Sequence, residues 1–342
     1  MIESSAFVTI GERQSTVDDA LAGRVPLAEY AFMRRANTFS RVLAMVDRGL
    51  DPASMSAGLR FAVRAYRETW DLDNVYLGEE FPGIQYLAVH AALRRRKRVA
   101  MLIHNVVSRK RKIPLGTLRL ASMADHLLCL SEQSKRELQG AYGVPGSRIT
   151  VVGSRVDTTF FTPDATVPQK VQICSAGAIN RDYDTLIEAA RPLGVPLKIA
   201  ADTAWAYSKG NAGTTPARPL PDFVEMRSWK TYLNLRGLYA ESRVLVVPLA
   251  RPILSGVTVA LEGMAMGKAV IVTHNPYIEE FLEEGESGLF VPAGDVETLR
   301  KKLRNLLDHP DEAERLGARA RDWVVERFTV ARYVDRILSA FG

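Results

Sequence analysis

Residues 244–273 read Val-Leu-Val-Val-Pro-Leu-Ala-Arg-Pro-Ile-Leu-Ser-Gly-Val-Thr-Val-Ala-Leu-Glu-Gly-Met-Ala-Met-Gly-Lys-Ala-Val-Ile-Val-Thr, and this stretch decides the fold. The short apolar runs 244–248 and 269–273 are rich in β-branched residues, as buried strands are. Residues 257–266 between them have the length and composition of a helix. A strand, a helix and a second strand in this order predict a βαβ unit with parallel strands.

The same alternation extends in both directions along the chain. In the second half we predict strands at 171–176, 197–200, 244–248, 269–273 and 288–291, and helices at 184–191, 232–240, 257–266, 276–283, 296–307, 312–327 and 330–341. In the first half we predict strands at 6–10, 42–46, 75–78, 99–104, 126–130 and 149–152, and helices at 53–70, at 83–96 and from Ser131 onward. The polar, Pro-bearing stretch 157–168 is typical of a linker, and 205–220 is typical of a loop. These patterns predict two α/β domains.

Length and composition fit this prediction. The chain has 342 residues, of which 47% are hydrophobic and 25% charged, so it is long enough for two packed domains and too apolar for a disordered chain. Its two cysteines, Cys129 and Cys174, lie in strand-like runs and are expected to be buried free thiols, which excludes a cysteine-based zinc site. With no apolar run long enough to span a bilayer and no secretory signal at the start, we expect a cytoplasmic protein.

The formal net charge of +6 comes largely from two basic clusters. Residues 94–98 read Arg-Arg-Arg-Lys-Arg, and residues 109–112 read Arg-Lys-Arg-Lys. They are interpreted either as a solvated helix end and a solvated loop, or as a peripheral contact with an anionic membrane surface or an acidic acceptor. No recognition motif or interleaved aromatic residues accompany them, so nucleic acid is not an expected partner.

The predicted helix at 257–266 offers an anion site at its start. Ser255 is a candidate N-cap, and Gly256 allows the backbone to approach a ligand closely. Free N–H groups and the positive end of the helix dipole would then suit a diphosphate. Glu262, farther along the helix among apolar residues, needs a partner. That partner is either the hydroxyl pair of a ribose or a local group such as the backbone or Lys268.

Two further candidates follow predicted strands. Arg181 lies in the turn after the strand 171–176, beside Gly177, where open α/β sheets bind ligands, although a single arginine there is often a surface residue. His104 ends the strand 99–104 and is either a site residue or a hydrogen-bonded core histidine. With five histidines in the chain and no spaced cluster of ligands, a metal site is not expected.

Several motifs together resemble a known family. Residues 261–271 read Leu-Glu-Gly-Met-Ala-Met-Gly-Lys-Ala-Val-Ile, and residues 285–295 read Gly-Glu-Ser-Gly-Leu-Phe-Val-Pro-Ala-Gly-Asp. The run that begins Cys129-Leu-Ser-Glu-Gln-Ser and the stretch 149–161 fit the same pattern. On these residues the chain resembles the retaining glycosyltransferases of family 4 over roughly residues 99–330, whereas the first 98 residues match poorly.

The resemblance implies the GT-B fold, in which two Rossmann-like domains turn their parallel sheets toward an interdomain cleft. It implies an acceptor domain at 1–163, a nucleotide-sugar domain at 164–327 and a last helix, within 328–342, that packs back on the first domain. The apolar stripe of that helix agrees with this arrangement. The implied activity is transfer of a sugar from a nucleoside-diphosphate sugar, best a UDP-sugar, to an unknown acceptor. Configuration would be retained, and neither a metal nor a cofactor would be needed.

The resemblance also implies roles for individual residues. Glu262 would hold the ribose, Arg181 would stand where the family has a lysine on the diphosphate, and His104 would face the donor sugar. The remaining donor contacts would come from Gly177, Ser255, Gly256, Val257 and Thr258.

Two departures from the family pattern bear on the site. Position 254, where the family carries the first of two acids, is Leu254 in this chain, so its sugar contact is absent or moves to Ser255. Position 178, where the family has an arginine, is Ala178. These departures motivate one alternative, a non-catalytic GT-B-like subunit that binds a ligand or a partner. A sugar-nucleotide epimerase of the same architecture is a second, although the extra carboxylates that it needs are not evident.

Overall fold

A computed structural model describes residues 5–8, 62–67, 70, 73–78, 80–93, 97–104, 120–202, 219–228 and 231–341. The chain forms two compact units, Met1–Gly153 with Ala331–Gly342, and Ser154–Val330. The two units thus separate after Gly153, ten residues before the predicted domain boundary after residue 163. The reason is that the stretch predicted as a linker packs in the second unit, where Phe161 is buried and its carbonyl accepts a hydrogen bond from Arg321.

In its described residues, the first unit is a five-stranded parallel sheet with helices. Its described elements are β1 (Ser5–Val8), β2 (Asn74–Leu77), α1 (Glu80–Leu93), β3 (Arg98–Ile103), β4 (His126–Cys129), α2 (Glu132–Tyr142) and β5 (Ile149–Val151), and residues 62–67 are also helical. The described strands lie in the order β1-β2-β3-β4-β5, all parallel. Strand β3 is buried from Val99 onward, as expected of a strand covered on both faces.

The last helix of the chain, α8 (Val330–Leu338), packs on this first sheet. Tyr333 and Ile337 are buried in one cluster with Leu102, Leu128 and Val152. A single turn of 3-10 helix, Ser339–Phe341, follows it. The apolar stripe of α8 therefore contributes to the core of the first unit although it comes at the end of the sequence.

The described part of the second unit is a six-stranded parallel sheet with helices. Its elements are β6 (Val171–Ala176), α3 (Tyr183–Ala190), β7 (Leu197–Asp202), β8 (Val224–Ser228), α4 (Tyr232–Glu241), β9 (Ser242–Val247), α5 (Val257–Ala265), β10 (Ala269–Thr273), β11 (Leu289–Val291), α6 (Val296–Asp308) and α7 (Pro310–Arg327). The order across the sheet is β11-β10-β9-β6-β7-β8. This is the doubly wound order, in which the chain moves outward from β6 in one direction and from β9 in the other.

Local sequence explains where several helices begin and end. Asp182 caps α3 and Asp295 caps α6, each by accepting a hydrogen bond from a backbone N–H three residues later. Helix α2 begins after Ser131, whose hydroxyl accepts from Ser134 N, and it ends at Gly143 in the left-handed region with φ 64°. Short polar side chains and one glycine thus fix these boundaries.

One predicted helix is absent from the structure, and one strand of the structure is not expected from the sequence. Residues 276–283 are not a helix but a series of turns, because Asn275 competes for the backbone: its Oδ1 accepts from Tyr277 N, and its carbonyl accepts from Ile278 N. Strand β8 was not predicted, since its sequence, Val-Glu-Met-Arg-Ser, has no apolar run. The strand predicted at 42–46 and most of the loop predicted at 205–220 lie outside the described residues.

Candidate functional site

The second sheet has a topological switch point between β6 and β9. These neighbouring parallel strands, paired from Val171 to Ser175, continue to opposite sides of the sheet. Open α/β sheets bind ligands in a crevice at such a point, and the loops 177–182 and 248–256, which leave the carboxyl ends of these strands, would form its rim. Arg181, Ser255 and Gly256, all predicted as site residues, lie on these two loops.

Backbone hydrogen bonds tie the two loops together. Asp182 N donates to Pro248 O at 3.1 Å, and Ala250 N donates to Asn180 O at 3.1 Å. The side chain of Asn180 adds a third connection, from Nδ2 to Arg251 O at 2.8 Å, and its φ of 57° lies in the left-handed region, which non-glycine residues rarely adopt. The rim of the crevice is consequently built as one unit before any ligand binds.

Arg181 is a buried cation at the centre of this rim, with 7% of its surface exposed. Its Nε donates to Ala176 O at 2.8 Å and its Nη1 to Ile179 O at 2.8 Å, so backbone carbonyls replace part of its hydration. Nη1 also donates to Ser255 Oγ at 3.2 Å. Burial lowers the pKa of Arg181 from its ordinary value, and the nearby Tyr183, Tyr239 and Glu262 oppose that shift. Arg181 is thus a fixed cation rather than a mobile surface side chain.

Gly177 is required by the position of Arg181. Its φ is 103°, and a Cβ at this position would lie 2.3 Å from Arg181 Nη2. The guanidinium therefore occupies the space that any side chain at position 177 would fill. The immediate role of Gly177 is to admit Arg181.

The start of α5 differs from the sequence prediction. Ser255 is not the N-cap: its hydroxyl donates to Ile179 O at 3.2 Å, and Gly256 occupies the cap position with φ 82° and no side-chain cap. A Cβ on Gly256 would lie 2.7 Å from Val247 Cγ1, which explains the glycine. Because Ser255 serves the loop after β6, it leaves the first N–H groups of α5 without a side-chain acceptor.

Val257 and Thr258 form the first turn of α5. Val257 is buried and belongs to the core, whereas Thr258 is exposed. Thr258 carries an exposed hydroxyl that can contact a ligand, whereas Val257 can offer a ligand only its backbone groups. Leu254, at the position where the family has an acid, is half-buried and packs against the same core.

Glu262 lies in the second turn of α5 with 4% of its surface exposed. Its Oε2 accepts a hydrogen bond from the hydroxyl of Tyr239, on α4, at 2.9 Å. Lys268 does not pair with it, because Lys268 Nζ donates to Ala240 O at 3.1 Å. Burial raises the pKa of Glu262 to about 8, against the lowering effects of the Tyr239 hydroxyl and the Arg181 charge. Sequence reasoning missed Tyr239, since nothing in its local sequence marks it as the partner of a carboxylate.

His104 lies in the first unit, directly after the carboxyl end of β3, and is half-buried. The structure therefore brings Gly177, Arg181, Ser255, Gly256 and Glu262 together in the second unit and places His104 in the other unit. The basic residues 94–96 and 109–112 lie outside the described residues; of that charge only Lys97 and Arg98 are described, and they donate to the carbonyls of Trp70 and Phe341.

The described part of the chain contains no group of three or more His, Cys, Asp or Glu side chains arranged to hold a metal ion. None of the helices within it combines the length and the apolar character required to cross a bilayer. Cys129 and Cys174 are both buried and free.

Comparisons with known proteins address the family. A family model described as "Glycosyl transferases group 1" matches residues 173–309, and one described as "Glycosyltransferase Family 4" matches residues 25–160. Among curated proteins, the chain is 26% identical over 217 residues to the MMP alpha-(1->4)-mannosyltransferase of Mycolicibacterium hassiacum, covering 62% of this chain and 52% of that one. The chain spans about half the length of the first curated relatives that it matches.

Solved structures address the fold. The HepE protein of Anabaena, in a crystal structure with UDP, is similar with a TM-score of 0.66 at 14% identity, covering 82% of each chain. A glycosyltransferase from Rickettsia africae is similar with a TM-score of 0.68 at 14% identity, covering 98% of this chain and 97% of that one. At these identities the likeness shows the fold, and it agrees with the predicted GT-B architecture. The two family models, on the two units just described, show that the chain belongs to the GT-B glycosyltransferases of family 4 type.

Proposed function

We propose that this protein is a retaining glycosyltransferase that transfers a sugar from a nucleoside-diphosphate sugar to an acceptor. The donor that we propose first is a UDP-sugar. The observation that carries the proposal is the buried Arg181 cation, linked through Ser255 to the start of α5. A cation and the positive end of a helix repel each other unless an anion lies between them. A diphosphate supplies that anion, and the helix N–H groups supply its hydrogen bonds.

The chemistry follows from this arrangement. The bond between the anomeric carbon and the diphosphate oxygen breaks, and a new bond to the acceptor oxygen forms on the same face of the sugar. The proton of the acceptor hydroxyl leaves with the diphosphate. Arg181 and the α5 amino terminus stabilise the negative charge that develops on the leaving phosphate, which is the task that a divalent metal performs elsewhere. No metal or cofactor is part of the proposal.

The other site residues complete the donor contacts. Glu262 accepts hydrogen bonds from the ribose hydroxyls, and the Thr258 hydroxyl and the backbone at Gly256 bind phosphate or sugar. His104 keeps the role that the family resemblance assigns to it, a contact with the donor sugar. Among the solved relatives, the HepE complexes with UDP and with UDP-glucose support a uridine nucleotide as the first donor to try.

The direct test is a donor screen by mass spectrometry with UDP-, GDP- and dTDP-sugars. Donor hydrolysis is measured without an acceptor, in the presence and absence of EDTA. We expect turnover of a UDP-sugar that EDTA leaves unchanged and that Glu262→Ala lowers about tenfold or more, the equivalent of roughly 1.4 kcal/mol. Product configuration, read by NMR on an acceptor found in the screen, decides between retention and inversion.

Leu254 supports one alternative, a GT-B-like subunit without catalytic activity, because its apolar side chain replaces an acid at the family's sugar-binding position. Titration calorimetry with UDP and GDP separates the two. Nucleotide binding without hydrolysis of any donor favours the binding subunit, and binding of neither nucleotide at millimolar concentration contradicts both the donor-site assignment and the enzyme.

A further inference from the structure

Glu262 and Tyr239 form a buried pair between α5 and α4. Glu262 Oε2 accepts from the Tyr239 hydroxyl at 2.9 Å. Tyr239 is fully buried in the large core cluster of the second unit, and Glu262 is buried beside it. A phenylalanine at position 239 would fill the same space without placing a hydroxyl in an apolar core. A buried tyrosine hydroxyl needs a partner, and here the partner is the carboxylate.

The aromatic packing behind Tyr239 holds its ring in place. The ring lies 6.1 Å from the ring of Phe161, which in turn lies 4.9 Å from the ring of Phe160. Arg321 donates to the carbonyl of Phe161 at 3.2 Å and also to the carbonyl of Ala265, at the end of α5. One arginine thus links the segment that packs on Tyr239 to the helix that carries Glu262, so donor and acceptor are held from both sides.

The hydrogen bond occupies one of the two oxygens of the carboxylate. Among the described residues, none donates to the other oxygen, Oε1, and Lys268 uses the carbonyl of Ala240 instead. Arg181 acts on Glu262 only as a nearby charge. Oε1 has no protein donor, and it is not among the buried polar atoms of the described residues that lack a partner, so it is open to hydroxyl groups of a ligand.

We propose that Tyr239 is a positioning residue for Glu262: its hydroxyl fixes Oε2 and thereby holds Oε1 ready to form hydrogen bonds with the ribose hydroxyls of the donor nucleotide. This inference rests on the proposed function and adds to it a residue outside the ligand-binding loops. Tyr239 itself does not touch the nucleotide. Its effect reaches the ligand through the orientation of Glu262.

The test compares UDP with 2′-deoxy-UDP, because their difference in affinity isolates the ribose hydroxyl. In the wild-type protein we expect UDP to bind about tenfold more tightly than 2′-deoxy-UDP, since a site built for a hydroxyl discriminates against its absence. In Tyr239→Phe we expect UDP affinity to fall about fivefold and this preference to shrink to about twofold. Titration calorimetry measures both constants.

A matched control is Tyr66→Phe in the first unit. Tyr66 is also fully buried, and its hydroxyl lies 3.2 Å from Nδ1 of a titratable side chain, His90. Both variants are expected to lose thermal stability, but Tyr66→Phe is expected to keep the wild-type affinities for both nucleotides. A purely structural role of Tyr239 would make the two variants alike in nucleotide preference as well.

The double variant Tyr239→Phe with Glu262→Gln completes the experiment. If Tyr239 acts through Glu262, the double variant binds UDP as Glu262→Gln does, because the second change removes what the first acts upon. Wild-type binding of UDP together with an unchanged preference in Tyr239→Phe overturns the inference alone. Wild-type protein that binds neither UDP nor GDP overturns the proposed function and the inference together.

Discussion

Helix α5 ends at its carboxyl terminus in a full set of intramolecular hydrogen bonds, whereas its amino terminus begins at Gly256 without a side-chain cap. At the carboxyl end, Gly267 N donates to Met264 O at 2.9 Å and Lys268 N donates to Gly263 O at 3.0 Å, and Gly267 has φ 67°. This pair of bonds is the Schellman motif, which satisfies the last carbonyls of a helix. The protein completes one end of the helix with its own groups, and the proposed function assigns the other end to the donor diphosphate.

An arginine lies near each end of α5, but the two arginines stand in opposite relations to the helix dipole. Arg321 donates to the carbonyl of Ala265 at the negative end of the helix dipole, where a cation is stabilising. Arg181 lies by the positive end, one hydrogen bond away through Ser255, where a cation is destabilising without an anion. Both arginines bind backbone carbonyls, but only Arg181 lies where the helix dipole favours an anion beside it, which is why the proposed function uses Arg181 and not Arg321.

The largest effect is expected at the carboxyl end, from Gly317→Ala. A Cβ on Gly317, in α7, would lie 2.1 Å from the backbone oxygen of Gly267, and a backbone atom cannot move aside as a side chain can. We expect the free energy of unfolding to fall by about 3 kcal/mol, measured by urea denaturation. Gly140→Ala, in α2 with nothing within 4 Å of the added methyl, is the control and should be neutral or stabilising. Equal stability of the two variants would refute the close packing of α7 on the end of α5.

Arg181→Ala is expected to have the next largest effect, this time on the donor. Loss of a charged hydrogen-bond donor to phosphate costs about 1.5–3 kcal/mol, so kcat/KM for the donor should fall by about 10- to 100-fold. Arg300→Ala is the control, because Arg300 also donates to backbone carbonyls of the same unit, those of Glu188 and Ala189. It should lower the unfolding temperature while leaving kcat/KM within about twofold. If both variants lose kcat/KM equally, the loss does not report on the start of α5.

Glu262 should make stability depend on pH. Burial raises the pKa of Glu262 to about 8, whereas a glutamate in the unfolded chain has a pKa of about 4.3. Between these values the folded protein keeps a proton that the unfolded chain releases, so stability is highest below the lower value and falls as pH rises toward 8. Arg181 and Tyr239, the charged and titratable groups that act on it, reduce the effect without reversing it.

Glu262→Gln has no titrating group at position 262. The difference in stability between the wild-type protein and this variant therefore isolates the contribution of Glu262. From pH 5 to pH 9 the wild-type protein should lose roughly 1 kcal/mol or more relative to Glu262→Gln. Urea midpoints of both proteins at pH 5, 7 and 9 measure this difference. Parallel curves over the whole range would mean that Glu262 is charged at all these pH values in the folded protein.

The smallest effect is expected from Ser255→Ala, which removes the hydroxyl between Arg181 and Ile179 O. Both hydrogen bonds of this hydroxyl lie within the protein, so their loss acts on the nucleotide only through the position of Arg181. We expect nucleotide affinity to fall about threefold, less than for the loss of a direct hydrogen bond from a charged group. Ser242→Ala is matched to it, because Ser242 donates to Leu238 O at the opposite end of β9. The control should change stability alone, and an equal loss of affinity there would remove Ser255 from the site.

Much of the fold could be predicted from the sequence because its signals are local. Runs of Val, Ile and Leu marked β9 and β10, since strands covered on both faces are largely apolar. The exceptions have local reasons as well. Strand β8 carries Glu225 and Arg227 and does not look buried, and Asn275 turns an apparently helical stretch into turns.

The sequence by itself determined the two α/β units, the family motifs, the loops that carry Arg181 and Ser255, and the helix that carries Glu262. Only the tertiary structure decided what those residues contact. Ser255 serves the loop after β6 instead of capping α5, Gly177 makes room for Arg181, and Tyr239 holds Glu262. Each of these partners comes from an element brought close by parallel pairing, or from a backbone conformation that residue type alone does not fix. Local sequence reports which element a residue joins, whereas hydrogen-bond partners and burial depend on elements distant in the chain.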